Sequence, residues 1–281
     1  MYQPRVLSIQ DISCFGKCSL TVALPVISAM GVETAILPTA VLSTHTGGFT
    51  GFTFRDLTDD VEPICAHWKK EGITFGSIYT GYLGSFRQLE LVGQIFDDFG
   101  KGALKLVDPV MGDNGKLYTG FDENFAKGMA KLCGKADIIV PNLTEACYML
   151  GIPYPGDCGR EYAKELLKKL TSLGCRIAVL TGVMDCGGKK HGVMAYNSET
   201  GEYSEYYSDH VDAKFHGTGD VWASSFCGAL ALGKTMDEAL KIAVEYTVAC
   251  IKISAGDDEH KYGVRFEECI PLLVDLIGKN K

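Results

Sequence analysis

Long apolar runs are missing from this sequence. Stretches such as Ile138-Ile139-Val140 end far short of the roughly 20 residues that a membrane-spanning helix needs. Residues 1–10 pass directly into a strand-like run, without the basic, apolar and small-residue regions of a secretory signal. We therefore expect a cytoplasmic protein with no membrane partner.

An excess of basic residues is missing too. The 281 residues include 27 Lys and Arg against 35 Asp and Glu, which gives a net charge of -8. A broadly acidic surface repels nucleic acid and anionic lipid, although a local positive pocket can still hold a phosphate group. The charge balance therefore argues against nucleic acid and anionic lipid as partners and favours a soluble protein.

Cysteine is abundant, but the spacings that mark zinc sites or disulfide frameworks are missing. The 11 cysteines are an odd number and are scattered, and no Cys-x-x-Cys pair occurs among them. Most lie inside apolar segments, as Cys133, Cys147, Cys227 and Cys250 do. Buried free thiols are the expected state, with no structural metal.

No linker rich in Pro, Ser or charge divides the chain, and no internal repeat is visible, so we predict one domain over residues 1–281. Short apolar runs alternate with helical patterns, which is the rhythm of βαβ units and a mainly parallel sheet covered by helices. Runs 191–196 and 202–207 predict an antiparallel hairpin. The other expected strands are 6–9, 34–37, 77–79, 104–107, 138–140 and 177–180, with helices from about 19 and 57, over 86–99, 124–132 and 144–150, and beyond 218.

Polar residues collect directly after the predicted strands. In an open parallel sheet, ligands bind beyond the carboxyl ends of the strands, so these loops are the expected site. The polar loops are Asp11 to Ser13, Ser43 to Gly48, Thr80 to Tyr82, Asp108 to Asp113, Pro141 to Glu145, Thr181-Gly182 and Gly217 to Asp220.

The tetrapeptide Gly217-Thr218-Gly219-Asp220 leads into an apolar helical segment. Its backbone N–H groups would lie at a helix N-terminus, where an anion is stabilised, and the glycines let a phosphate approach closely. Asp220 beside them could accept the proton of an attacking hydroxyl. The alternative is an ordinary helix start with an acidic residue in its first turn.

Four oxygen-bearing residues lie in two neighbouring loops, Asp108 and Asp113 in one and Asn142 and Glu145 in the other. Such hard ligands suit Mg²⁺, which is often held by one or two carboxylates together with substrate phosphates. Asn142 and Glu145 also fit a helix cap and its reciprocal partner. Both interpretations remain open at this stage.

Residues Gly228 to Thr235 match the P-loop string, but their context argues against that function. A P-loop follows a strand and opens a helix, whereas this string lies at the end of an apolar helix. We interpret Gly233 as the C-cap of that helix and Thr235 with Glu238 as the capping box of the next.

The histidines divide by their surroundings. His67, His210 and His260 lie among charged residues and are expected to be solvated. His45 lies in a dense polar loop, where it could contact substrate, and His216 precedes the glycine turn and could shape it.

Taken in order, these motifs resemble the ribokinase superfamily, and more closely its pyridoxal/pyridoxamine kinase branch. The resemblance covers nearly the whole chain and rests on six segments. They are Val6 to Gln10, Ser43 to Gly47, Thr80 to Tyr82, Asp108 to Asp113, Pro141 to Glu145 and Gly217 to Asp220.

The resemblance implies a ribokinase-like three-layer α/β sandwich with a mainly parallel central sheet, helices on both faces and an antiparallel hairpin. It implies a homodimer that transfers the γ-phosphoryl group of ATP to the 5′-hydroxyl of a B6 vitamer with Mg²⁺, and members often use a monovalent cation. Carried over by position, Asp220 is the catalytic base, and Gly217, Thr218 and Gly219 form the anion hole. The ATP-side residues are Asp108, Asp113, Tyr118, Asn142 and Thr181, the metal residues are Asp113 and Glu145, and the vitamer-side residues are Asp11, His45, Thr46 and Tyr82.

One position departs from the pattern. Many pyridoxal kinases that resemble this chain have Ser-His after the Ile-Gln of the first strand, and this sequence has Asp11-Ile12. We hypothesise that Asp11 pairs with a cationic part of the substrate, which would favour pyridoxamine. The alternative is that Asp11 hydrogen-bonds its own loop.

Three other functions compete with this interpretation. A hydroxymethylpyrimidine kinase has a similar last motif, and the Ser43 to Gly47 loop is the reason to prefer B6. A sugar kinase ranks lower because no insertion long enough for a β lid is visible between the second and third strands. A non-catalytic vitamer-binding or nucleotide-binding regulator would not need to retain Asp220.

Overall fold

A computed structural model of the chain describes residues 3–185, 187, 189–211, 213, 215–257 and 262–278. It divides into two compact units. Unit 1 comprises Met1–Gly81 and Val211–Lys281, and unit 2 comprises Tyr82–His210. His260, one of the histidines expected to be solvated, lies outside the described residues, whereas His67 and His210 are exposed as expected.

The strands are β1 (Arg5–Ser13), β2 (Glu33–Leu42), β3 (Phe54–Asp56), β4 (Ser77–Thr80), β5 (Leu104–Val107), β6 (Gly112–Asp113), β7 (Lys116–Leu117), β8 (Ile138–Ile139), β9 (Ile177–Met184), β10 (Lys190–Asn197) and β11 (Tyr203–Asp209). The α-helices are α1 (Leu20–Ala29), α2 (Thr58–Lys70), α3 (Phe86–Phe99), α4 (Glu123–Cys133), α5 (Leu143–Leu150), α6 (Arg160–Thr171), α7 (Thr218–Ala231), α8 (Met236–Ser254) and α9 (Ile270–Leu276). A short 3-10 helix, Phe266–Cys269, precedes α9.

In unit 1 the strands lie in the order β4-β1-β2-β3. β1 pairs in parallel with both β2 and β4, and β3 pairs antiparallel with β2. Val6, Leu7 and Ile9 of β1 are almost fully buried, as expected for a parallel strand covered on both faces. Helices α1 and α7 contact this strand and each other.

In unit 2 the strands lie in the order β11-β10-β9-β8-β5. β5, β8 and β9 are parallel, and β10 and β11 form the antiparallel hairpin that the sequence predicts. β6 and β7 form a separate small hairpin. Helix α6 packs on β9 and α4 packs against α3 and α5. Each unit is mixed α/β with mostly parallel central strands, so the predicted fold class is confirmed.

Several elements differ from the expectation. Helix α6, the edge strand β3 and the β6–β7 hairpin were not predicted, and β1 and β2 extend beyond their predicted ends. The prediction of one domain stays a prediction. In the described part of the chain, every helix is too short or too polar to cross a bilayer.

Local signals at helix ends agree with the structure. Thr235 and Glu238 form the expected capping box of α8. Gly233 lies one residue beyond the C-cap Leu232 of α7 and has a φ of 78°, as glycine after a helix commonly does. The segment Gly228 to Thr235 therefore lies where α7 ends and does not follow a strand. This position supports the interpretation that it is not a phosphate-binding loop.

Candidate active site

Unit 1 contains the first candidate cluster, at the start of α7. Gly217 is the N-cap residue, has a φ of 77° and supplies no side chain to cap the helix. A Cβ at this position would lie 1.8 Å from the carbonyl oxygen of Lys17, so only glycine fits. The N-cap residue of α7 therefore offers no side chain to the first amides of the helix. Amides at a helix N-terminus that lack such a cap can bind an anion.

Asp220 lies in the first turn of α7 and keeps partial access to solvent. Burial raises the pKa of Asp220 to about 7, the main-chain N–H of Ser19 opposes that rise by hydrogen bonding, and the charge of Asp11 adds to it. A carboxyl with a pKa near neutrality can be ionised at physiological pH and still accept a proton from an alcohol. This is the property that a general base requires.

Asp11 lies near the end of β1 and is only 5% exposed. It accepts a hydrogen bond from the Ser13 hydroxyl at 3.3 Å, and hydrogen bonding from the Ser19 side chain also lowers its pKa. Burial raises the pKa of Asp11 despite these bonds. Among the described residues, no Lys or Arg forms an ion pair with Asp11 or Asp220, and the groups that affect the pKa of these carboxyls besides burial include Ser13, Ser19 and, for Asp220, the charge of Asp11.

His45 is held by the protein on both ring nitrogens. Nδ1 accepts from the Gly47 amide at 3.1 Å, which leaves Nε2 to donate to the Tyr262 carbonyl at 2.9 Å. The ring is 4% exposed and lies 5.3 Å from the ring of His216. Thr46, by contrast, is exposed. His45 therefore shapes its loop, and a substrate contact through either nitrogen would require one of these bonds to break.

Unit 2 contains the second candidate cluster, at the start of α5. The Asn142 side chain accepts from the Glu145 amide at 2.9 Å, and the Glu145 carboxylate accepts from the Asn142 amide at 2.9 Å. The other oxygen of Glu145 accepts from the Met111 amide at 3.1 Å. Burial raises the pKa of Glu145 to about 8. The predicted capping box is confirmed, and both carboxyl oxygens of Glu145 have backbone partners.

The β6–β7 hairpin is attached to the start of α5. The Asn142 amide group donates to the Gly112 carbonyl at 2.9 Å, and the Gly115 amide donates to the Thr144 hydroxyl at 2.9 Å. Asp113 on this hairpin is exposed, and its carboxylate accepts from the backbone and side chain of Asn114. The structure thus brings the loop of Asp113 to Asn142 and Glu145, as predicted.

Other predicted ATP-side residues lie around this cluster. Thr181 forms a parallel bridge with Asn142, and its amide donates to the Pro141 carbonyl at 3.1 Å. Tyr118 is 43% exposed, and its amide donates to the Met111 carbonyl at 2.9 Å. Asp108 is 8% exposed at the end of β5. Tyr82, predicted on the vitamer side, lies in unit 2 with its ring 5.6 Å from that of Phe121.

The side chains at the start of α5 and on the β6–β7 hairpin are the candidate donors for Mg²⁺. Within the described residues, no three His, Cys, Asp or Glu side chains gather into a ready-made metal site. Mg²⁺ does not need such a cage, since it often binds through one or two carboxylates and substrate phosphates. Exposed Asp113 fits that requirement. Glu145 fits less directly because two amides already hold its oxygens, and its assignment as a ligand stays a prediction.

Three contributors to these clusters were missed in the sequence. Ser19 contacts both carboxyls of unit 1, although the sequence marks it only as a residue before a helix. The hydroxyl of Thr144 and the amide of Met111 hold the second cluster together. Both residues lie inside loops that the sequence identified. Residue type, however, cannot predict a bond from a backbone amide or a contact with the β6–β7 hairpin.

The fold and the two clusters point to a phosphotransferase of the ribokinase type. A family model described as phosphomethylpyrimidine kinase matches residues 22–264. The chain therefore belongs to the phosphomethylpyrimidine kinase family.

Its relatives include kinases of B6 vitamers. A pyridoxine/pyridoxal/pyridoxamine kinase of Bordetella avium (strain 197N) is 26% identical over 269 residues, covering 89% of this chain and 86% of that protein. The crystal structure of pyridoxal kinase from Lactobacillus plantarum is 29% identical, with a TM-score of 0.88 and coverage of 99% of both chains. A Bacteroides thetaiotaomicron protein, provisionally assigned as a phosphomethylpyrimidine kinase and crystallised with pyridoxal, is 39% identical, with a TM-score of 0.90 and coverage of 97% of this chain and 96% of that one. The resemblance to the pyridoxal kinase branch is confirmed.

Proposed function

We propose that this protein transfers the γ-phosphoryl group of ATP to the 5′-hydroxyl of a B6 vitamer, which is pyridoxal, pyridoxamine or pyridoxine. The observation that carries the proposal is Asp220, placed behind a glycine N-cap at the start of α7 with its pKa raised to about 7. Similarity over 89% of the chain to a kinase of all three vitamers, and over 99% of the chain to a pyridoxal kinase, supports the substrate class.

In this mechanism Asp220 accepts the proton of the 5′-hydroxyl as the oxygen attacks the γ-phosphorus atom, and the bond from that phosphorus to the bridging oxygen breaks to release ADP. The carboxyl must be ionised to do so, and ionisation is reached as the pH rises through about 7. The amides of Gly217, Thr218 and Gly219 stabilise the charge on the transferred group, since they lie at the positive end of α7. Catalysis then consists of positioning and charge stabilisation, as is usual for phosphoryl transfer.

We assign the nucleotide side to the cluster at the start of α5. Asp108, Asn142, Thr181 and exposed Tyr118 are the residues that we expect to serve ATP and its phosphates. Asp113 would hold Mg²⁺ together with the phosphates, with Glu145 as the second predicted carboxylate. When bound, Mg²⁺ neutralises charge on the phosphates. The rigid cap of Asn142 and Glu145 keeps this loop in place before the nucleotide arrives.

On the vitamer side we assign Asp11, Thr46 and the loop that His45 shapes. Asp11 is a buried carboxyl without a Lys or Arg ion pair among the described residues, so a cationic pyridinium or aminomethyl group of the substrate would compensate its charge. Thr46 is exposed and free to reach a ligand. Tyr82 stays a predicted vitamer contact.

The remaining predictions concern the cellular compartment, the oligomeric state and a monovalent cation. The ten cysteines in the described part of the chain are free thiols and eight of them are buried, which suits a reducing cytoplasm. A homodimer and a monovalent cation are also part of the proposal, by resemblance to the superfamily. Size in solution and the effect of K⁺ on turnover test these two points.

A second candidate substrate is hydroxymethylpyrimidine, also a flat heteroaromatic alcohol. The observation that favours it is the family model, which is described by a pyrimidine kinase activity. The same base and anion hole would serve either alcohol, so the two candidates differ in recognition and not in chemistry. A non-catalytic regulator is less favoured, because Asp220 and its glycine turn are both retained.

The test is ADP formation by the purified protein with Mg-ATP and, separately, pyridoxal, pyridoxamine, pyridoxine and hydroxymethylpyrimidine. We expect turnover on the B6 compounds and its loss in Asp220→Ala. Activity confined to the pyrimidine would transfer the assignment to the second candidate. Absence of turnover on all four compounds would reject both and favour a binding protein.

A further inference from the structure

Ser19 has an unusual backbone conformation. It immediately precedes α1 with φ 54° and ψ −132°. Among the described residues, Asn114 is the other non-glycine residue with a positive φ, and asparagine tolerates this region better than serine. Such strain persists only where the surrounding structure imposes it, and it is concentrated at functional sites.

The loop before Ser19 is held from several directions. The amides of Cys14, Phe15 and Lys17 donate to the carbonyls of Leu42, Ser43 and Tyr262 at 2.8, 3.1 and 3.1 Å, respectively. The Thr21 hydroxyl donates to the Cys18 carbonyl at 2.6 Å. The carbonyl of Ser19 itself accepts from the first amides of α1. The positive φ of Ser19 is therefore fixed by contacts on both sides of the residue.

The usual reason for serine at this position does not apply. A serine before a helix normally accepts a hydrogen bond from an amide in the first turn through its hydroxyl. Ser19 makes no such side-chain bond to α1. It is only 6% exposed, so the hydroxyl needs another partner inside the protein.

Both polar groups of Ser19 face the carboxyl pair instead. Ser19 forms an isolated β-bridge with Ile12, next to Asp11, and hydrogen bonding from its main-chain N–H and from its hydroxyl opposes the rise in the pKa of Asp220 and of Asp11, respectively. The close approach of Gly217 to the Lys17 carbonyl brings the start of α7 against the same loop. Besides Asp11 and Asp220, the titratable side chains at this point include Cys18, whose pKa burial and the two carboxylates raise, and Lys17, which forms an ion pair with Glu267 at 2.7 Å.

We propose that Ser19 is the positioning residue of the catalytic base, presenting its main-chain N–H to Asp220 and its hydroxyl to Asp11 from one fixed backbone conformation. The N–H stabilises the ionised form of Asp220 and orients its carboxylate. The hydroxyl keeps Asp11 oriented beside it, and through Asp11 it sets the local charge that the base experiences. The inference rests on the proposed kinase function.

The test is a double-mutant cycle of Ser19→Ala and Asp11→Asn, measured as kcat and KM of B6 vitamer phosphorylation across pH. Ser19→Ala removes the hydroxyl and keeps the N–H. We expect kcat to fall about tenfold with the KM for ATP unchanged. If the hydroxyl acts through Asp11, Ser19→Ala will have little further effect on kcat in the Asp11→Asn background.

The pH profile separates positioning from a merely structural role. Asp11→Asn removes a negative charge beside Asp220, so the rise of kcat with pH should move to lower pH. Ser19→Gly keeps the N–H but frees the backbone, and it should lower kcat further than Ser19→Ala if conformation matters. Ser28→Ala is the matched control, because its hydroxyl bonds Thr34 on the exposed side of α1.

The outcomes distinguish a failure of the proposed kinase function from a failure of the role proposed for Ser19. A wild-type protein without kinase activity, or an active Asp220→Ala variant, would remove the proposed function on which the inference depends. An active wild type whose kcat and pH profile are unchanged in Ser19→Ala and Ser19→Gly would overturn the inference alone. Additive effects in the cycle would show that the hydroxyl does not act through Asp11.

Discussion

Two helices in this protein have an acidic residue with a raised pKa in their first turn, and the two residues differ in their hydrogen bonding and exposure. At the start of α5, both oxygens of Glu145 accept from backbone amides, and Asn142 completes a reciprocal cap. At the start of α7, the N-cap is Gly217, which offers no side chain, and Asp220 keeps partial access to solvent. The first carboxyl is tied to the scaffold and the second remains available to a reactant.

The comparison shows that a raised pKa does not by itself identify a base. Burial is the main cause of the rise for both residues, to about 8 for Glu145 and about 7 for Asp220. What differs is the number of hydrogen bonds that would have to break before the carboxyl could accept a substrate proton. Geometry therefore selects Asp220, and the following changes test that selection.

The largest effect is expected from Asp220→Asn. Asparagine keeps the shape but cannot accept the proton, so kcat should fall about 10²- to 10⁴-fold while the protein remains folded. Steady-state kinetics and thermal unfolding check this result. Asp237→Asn, in the exposed first turn of α8, is the matched control and should leave kcat unchanged. A kcat reduced less than threefold in Asp220→Asn would remove it as the base.

Gly217→Ala should have the next largest effect. The new Cβ would lie 1.8 Å from the Lys17 carbonyl, at a φ of 77° that alanine disfavours. We expect unfolding free energy to fall by at least about 1–2 kcal/mol, together with a large loss of activity. Gly219→Ala is the comparison, because no neighbouring atom lies within 4 Å of its Cβ, and it should fold normally. Equal stability of the two variants in urea would contradict this account.

Glu145→Gln tests the other helix start. The amide replaces one acceptor oxygen with a donor that faces a backbone N–H, so the free energy of unfolding should fall by about 1–3 kcal/mol. Urea denaturation measures this change, with exposed Glu165→Gln as the control. A variant that is as stable as the wild type but has lost kcat would reverse the roles assigned to the two helix starts.

The two raised pKa values also predict how stability depends on pH. The folded protein binds protons more tightly than the unfolded chain at Asp220 and Glu145, so stability should decrease as pH rises from about 4 towards 8. Asp220→Asn should reduce the slope up to about pH 7, and Glu145→Gln should reduce it up to about pH 8. Unfolding curves across this pH range measure the slopes. Slopes that are identical in both variants and the wild type would count against the burial of these carboxyls.

The smallest effect is expected from Lys234→Ala, at the helix end that matches a P-loop string. Lys234 follows the glycine that ends α7, so its loss should change the KM for ATP less than twofold. A P-loop lysine would bind the phosphates directly, and its removal would raise the KM strongly. A strong rise would show that this string, rather than Gly217 to Asp220, receives the phosphates.

Much of the fold could be predicted because periodicity and local caps are properties of the sequence. Helix α3 and strand β5 have the predicted bounds, since Ser85 caps the helix and apolar residues line its buried face. Helix α6 has equally clear spacing at Ala163, Leu166, Leu167 and Leu170, although it is missing from the predicted helices. Strand β3 is different, because its three residues are exposed and it exists only through pairing with β2.

The residues of the candidate site could be predicted from the sequence. Which of their polar atoms are already hydrogen-bonded within the protein could not. The glycine turn and Asp220 follow from a helix-start pattern, and the cap of Asn142 and Glu145 follows from residue spacing. The engagement of His45 depends on the carbonyl of Tyr262, which is 217 residues away in the chain. Ser19 likewise depends on contacts made by its backbone, which residue identity does not encode.

The most direct test of the central claim is the pH dependence of kcat for B6 vitamer phosphorylation, at saturating Mg-ATP, in the wild type and in Asp220→Asn. We predict that wild-type kcat rises through about pH 7, following ionisation of Asp220, and that this rise is absent from the residual activity of the variant. A wild-type kcat that is flat from about pH 5.5 to 8.5, or the same rise in the variant, would contradict the assignment of Asp220 as the base.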